Sequence, residues 1–167
     1  KVWDWSTATK MGPDGKPMLR KDDKGRVVYD SKKGDFTLGE NVRPEYVWFN
    51  GTVTYTLLGD KVDKSAGVTK INKLEGSATD GKSLIWPMKV FRGAQPYDPV
   101  NRTLVTPHTA GSDDAAYWKN FGWEKAVESG MKVSGAPFSG QVDFIKTEMS
   151  WPITHMVAPK DKALACT

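Results

Sequence analysis

Two histidines and one cysteine, His108, His155 and Cys166, are the side chains of this chain best suited to metal ligation or nucleophilic chemistry near neutral pH. With Met156 they make up the donor types of a blue-copper centre, two His, one Cys and one Met. Such centres place the Cys shortly before a His and a Met, whereas only Thr167 follows Cys166. Cys166 as a nucleophile with His155 as its base is a second arrangement. A cysteine one residue from the end is poorly placed for a preorganised site. A single Cys forms no internal disulfide. There is no Gly-x-Ser-x-Gly elbow, no His-Glu-x-x-His and no dinucleotide glycine fingerprint.

The scaffold that must position these groups is small and poor in aliphatics. Val, Ile, Leu and Phe make up 33 of 167 residues, close to the range of disordered chains, but the net charge is only +4. Seven Trp, six Phe and five Tyr supply the missing apolar area. The implied core is aromatic. Residues 16–33 carry seven basic and three acidic side chains, equal to the whole excess. These charges alternate in sign around a turn, which fits a solvated hairpin better than a nucleic-acid surface. No stretch of about 18 apolar residues spans a membrane.

Asp22-Asp23-Lys24-Gly25 reads as the turn of a hairpin joining Pro17–Lys21 to Arg26–Asp30. Glu45–Phe49 and Thr52–Thr56 flank Asn50-Gly51 and read as a second, tight hairpin. A short strand is expected within Val68–Leu74, and Leu84–Arg92 reads as a strand. Pro87 argues against a central place in a sheet for that strand. Residues 95–107 contain three prolines and read as an extended loop. Ser112 or Asp113 is positioned to cap a helix over Asp114–Phe121, and a second helix follows over Trp123–Met131, ended by Gly130 or Gly135. Residues 141–149 suit strand or helix. The fold class is therefore α+β: small β-hairpins, a few short C-terminal helices and much irregular chain.

The end of the sequence points to haem. A c-type haem is attached through Cys-x-x-Cys-His, and Cys166-Thr167 matches its first two positions. The segment Ser150-Trp151-Pro152-Ile153-Thr154-His155-Met156 through Ala165-Cys166 resembles the stretch before a late haem motif in octahaem c-type cytochromes of the tetrathionate reductase family. Lys1–Thr7, Tyr46–Gly51, Tyr55–Lys61, Ile85–Val90 and Ala115–Phe121 resemble the same family, in order along the chain.

The resemblance implies a segment of a periplasmic multihaem oxidoreductase, with residues 1–160 a single domain between haem sites and 161–167 the start of a severed attachment motif. The parent would carry haem c and reduce small sulfur or nitrogen oxyanions such as tetrathionate or nitrite. Its partners would be the rest of the parent and electron-donor proteins or quinol-linked cytochromes. Cys166 would be half of an attachment site. His155, bracketed by Pro152 and Pro159, and His108 would be distal iron ligands. Met88, Met149 and Met156 are further axial candidates, though Met more often fills core space. No catalytic residue is implied for this segment. The competing reading is a haem-free, secreted, β-rich binding module that uses its aromatic hairpins as a contact surface.

Overall fold

The computed structural model describes residues 1–153. In chain order the strands are β1 (Val2–Asp4), β2 (Leu19–Lys21), β3 (Val27–Asp30), β4 (Gly34–Thr37), β5 (Glu45–Phe49) and β6 (Val53–Tyr55). They continue with β7 (Thr69–Lys70), β8 (Asn72–Leu74), β9 (Leu84–Asp98) and β10 (Thr103–Leu104), and β11 (Asp143–Pro152) comes last. Between the last two lie the helices α1 (Tyr117–Asn120) and α2 (Trp123–Ser134). The architecture is mixed, mostly strand with two short helices, as the α+β expectation requires.

β9 is the spine of the main sheet. β11 runs antiparallel along it from Asp143 opposite Tyr97 to Pro152 opposite Met88. β5 pairs antiparallel with its first residues, and β1 pairs parallel with Arg92–Ala94. Beyond β1 the order continues through β4, β3 and β2, and β7 adds to the far edge of β11. β1 passes so close to β9 that a Cβ on Gly93 would sit 2.6 Å from the Trp3 carbonyl oxygen. Only glycine fits there without a shift.

The first hairpin forms as expected, with Gly25 at φ 76° in its turn. The second does not. Gly51 has φ 92° and Asn50 accepts the Thr52 amide at 2.9 Å, so the turn chemistry is present. The two flanking runs nevertheless part company: β5 joins β9, while β6 pairs with β8 in a separate ribbon. Long-range pairing overrides the local turn signal.

Pro87 lies inside a central strand after all. Its carbonyl accepts from the Ile153 amide at 3.3 Å, on the side where β11 ends at Pro152, so its missing N–H falls where the ladder stops. β9 also runs on through Pro96 to Asp98, so the expected loop over 95–107 begins later. Residues 143–152 resolve as strand. α2 extends to Ser134 and ends at Gly135, φ 67°. α1 is shorter than expected and starts after Ala116 with no side-chain cap. The Asp113 carboxylate that would have capped it is used elsewhere.

The core is aromatic at the end of the sheet where the helices lie. Trp3 stacks on Trp5 at 4.9 Å, Trp5 meets Trp123 edge-on at 5.5 Å, and Trp123 stacks on Tyr117 at 3.9 Å and contacts Phe144 at 5.4 Å. Tyr29, Tyr117, Met88, Met131, Ile145 and Val127 are fully buried. So is Asp98, which fastens the end of β9 to the loop before β11. Its carboxylate accepts the amides of Val100, Asn101 and Ser139 and the Ser139 hydroxyl, all within 2.9 Å. Burial alone would raise its pKa. The Asn101 and Ser139 hydrogen bonds outweigh burial and hold the carboxyl below its ordinary value.

Candidate functional site

Of the two histidines and the cysteine, His108 alone lies within the described structure; His155, Met156 and Cys166 lie outside it, so the blue-copper and Cys–His arrangements are not assembled within residues 1–153. Met88 is fully buried in β9 and packs the core, and Met149 lies within β11. Among the described residues no group of three or more His, Cys, Asp or Glu side chains is placed to hold a metal ion.

His108 sits on the extended segment between β10 and α1. Its backbone is clamped from two sides: its amide donates to Ala126 O of α2 at 2.9 Å, and its carbonyl accepts the Tyr117 amide at 3.0 Å. The Trp118 amide donates to Thr109 O at 2.9 Å. The first amides of α1, which have no partner inside the helix, are thus spent on the histidine segment. Gly130 lets α2 lie against the same segment, because a Cβ there would run into the Thr106 carbonyl.

The ring is held as firmly as the backbone. His108 Nε2 lies 2.8 Å from Asp113 Oδ2, and Asp113 Oδ1 accepts the Ala115 amide at 2.8 Å. His108, and then the Ala115 amide, lower the Asp113 carboxyl to about 2. Gly111 covers the pair: a Cβ there would stand 2.8 Å from Asp113 Oδ2 and 3.0 Å from His108 Nε2. The His108 side chain remains 31% exposed. It borders a cleft of about 400 Å³ shared with Pro107, Gly130 and Val133. Val133 is 88% exposed and gives this cleft an apolar lip.

This arrangement fits a metal-binding histidine. Such residues usually give one ring nitrogen to a carboxylate and the other to the metal, and among the described residues nothing hydrogen-bonds Nδ1 of His108. The ring is rigid and reachable, beside a surface that can take a flat apolar edge. Asp113 was legible in the sequence only as a helix cap; its pairing with a histidine five residues earlier depends on the turn at Gly111.

Two other features bear on chemistry. Gly76-x-x-x-x-Gly81-Lys82-Ser83 has the spacing of a phosphate-binding loop. That motif works by opening onto a helix N-terminus, whereas here it leads into β9. Asp80 itself takes the amides of Ser77, Lys82 and Ser83, so the loop turns inward on its own carboxylate. The second feature is an exposed sheet face. Tyr46 opposes Pro87, Trp48 opposes Ile85, and Trp151 opposes Lys89, which places all of them on one side of the sheet. Tyr46 is 62% exposed and Trp48, Ile85 and Trp151 are all exposed, a group of open apolar side chains on the face that also carries Lys89. No helix among the described residues is long and apolar enough to cross a membrane.

Residues 1–167 match a family described as bacterial cytochrome c. The chain is similar to the solved octaheme cytochrome c from Shewanella oneidensis, with 40% identity and a TM-score of 0.85. That likeness covers 99% of this chain and 37% of the Shewanella chain, so this chain spans just over a third of its relative's length. No curated protein matches it.

Proposed function

The chain belongs to the bacterial cytochrome c family, and from that premise we propose that it is a wall segment of an octahaem c-type cytochrome that passes electrons to a small oxyanion. The observation that carries this reading is the 40% identity, over 99% of the chain, to an octaheme cytochrome c. Haem c, when bound, supplies one-electron chemistry at iron. The work of this chain is to bind and exclude. It holds the His108 ring for a haem iron, and its exposed face at Tyr46, Trp48 and Trp151 covers haem or the rest of the parent. His155 is the second proposed distal ligand. Residues 1–160 form one domain between attachment sites, and Cys166 supplies the first thioether of the site that begins at 161–167. The parent works in the periplasm as an oxidoreductase, draws electrons from donor proteins or quinol-linked cytochromes, and reduces tetrathionate or nitrite. This segment contributes no catalytic residue.

The test uses the haem-loaded parent. Reduced by dithionite and then mixed with tetrathionate or nitrite, its haem absorbance should reoxidise within a mixing-time experiment. A parent with a full Soret band that neither oxyanion reoxidises overturns the substrate assignment. A parent with no Soret band overturns the cytochrome reading and favours the binding module.

A further inference from the structure

We propose that Asp113 is a positioning residue: by holding Nε2–H of His108 it fixes the ring in one tautomer and presents Nδ1 as the nitrogen for iron. The inference rests on the proposed ligand role of His108 and adds which atom binds and what sets it. A neutral imidazole has one N–H donor and one lone-pair acceptor. An ionised carboxylate only accepts, so the 2.8 Å contact to Asp113 Oδ2 places the proton of the neutral ring on Nε2 and the lone pair on Nδ1.

Three further observations make this a built arrangement. Asp113 cannot swing away freely, because its second oxygen takes the Ala115 amide at 2.8 Å. Flipping the ring would break the Nε2 contact, while the His108 backbone stays anchored to Ala126 and Tyr117. Gly111 leaves room for the pair that any side chain would crowd, at 2.8 Å from the carboxylate and 3.0 Å from Nε2. A carboxylate on the far nitrogen also makes the imidazole a stronger electron donor. Asp113 should therefore stabilise the oxidised form of whichever haem His108 ligates.

The tautomer is read by ¹⁵N–¹H NMR of the histidine-labelled chain at about pH 8.5, well above the ordinary imidazole range. There are only two histidines, and a His155→Gln variant assigns them. His108 should show the Nε2–H pattern, Asp113→Asn should mix the tautomers, and Asp113→Glu should restore much of the original pattern. An Nδ1–H pattern in the unmodified chain, or an unchanged pattern in Asp113→Asn, overturns the proposal.

In the haem-loaded parent, Asp113→Asn should raise the midpoint potential of one haem while every haem stays low-spin. No change in any potential also overturns it. His108→Ala separates the two ideas: it should turn one haem high-spin. If it does not, the ligand role fails while the tautomer measured in the chain still stands.

Discussion

At the helical end of the sheet, Trp5, Tyr117, Trp123 and Phe144 pack ring against ring between β1, β11 and the two helices. At the other end of β9, Tyr46, Trp48, Ile85 and Trp151 share one sheet face and remain open to solvent. The residue types are nearly the same. The difference lies in what crosses the sheet. α1 and α2 bring Tyr117 and Trp123 onto the first cluster, and the first amides of α1 together with the Ala126 carbonyl of α2 hold the His108 segment in place. The aromatic contacts at the second end are confined to its own strands, such as Phe49 against Trp86. An aromatic-rich composition therefore marks two things here, a core and an exposed face.

Substitutions should separate the two ends, and the largest effect belongs to the packed end. Tyr117→Ala should cost about 3–5 kcal/mol in urea unfolding, the usual range for emptying a buried aromatic site. Trp48→Ala in the same assay should stay within about 0.5 kcal/mol. Equal costs at the two ends would end the distinction. Asp98→Ala comes next. It leaves the part-buried amides of Asn101 and Ser139 without their buried acceptor and should cost about 1–3 kcal/mol.

Gly130→Ala should follow at about 1–3 kcal/mol, because its Cβ meets the Thr106 carbonyl and pushes α2 off the His108 segment. An unchanged midpoint would mean that the helix and segment can separate freely.

The smallest effect at neutral pH is a pH dependence. Burial, followed by the charges of Tyr29 and Asp30, raises the Tyr117 phenol well above its ordinary value of 10.0. A group raised in the folded state contributes stability that is complete below its unfolded pKa. That contribution is lost as pH climbs past about 10. The urea midpoint should hold steady up to there and then fall. Its buried hydroxyl has no hydrogen-bond partner among the described residues, so Tyr117→Phe should match the unmodified chain at neutral pH and fall less steeply in alkali. An equally steep alkaline fall in both would assign the effect to other groups.

Local chemistry was readable where one segment decides its own structure. Gly25 turns the first hairpin, and the apolar face of Trp123–Met131 makes a helix that Gly135 ends. What the residues alone could not show was pairing between distant segments. Asn50-Gly51 makes its turn, yet β5 leaves for β9, thirty-five residues on. Pro87 looked like an edge residue because the early end of β11 is invisible in sequence. The site divided the same way. His108 stood out as one of two histidines, but Asp113 reads as a helix cap until the turn at Gly111 brings its carboxylate to the ring. The end-to-end family resemblance was legible because it rests on residue identities in order, not on contacts.

The open aromatic face is proposed as a wall against the rest of the cytochrome, and hydroxyl-radical footprinting reads its burial ring by ring. Tyr46, Trp48 and Trp151 should oxidise readily in the 167-residue chain and markedly more slowly in the haem-loaded parent, as expected for side chains moved from solvent into an interface. Tyr117 should be slow in both. Equal oxidation of the three exposed rings in chain and parent would contradict the account.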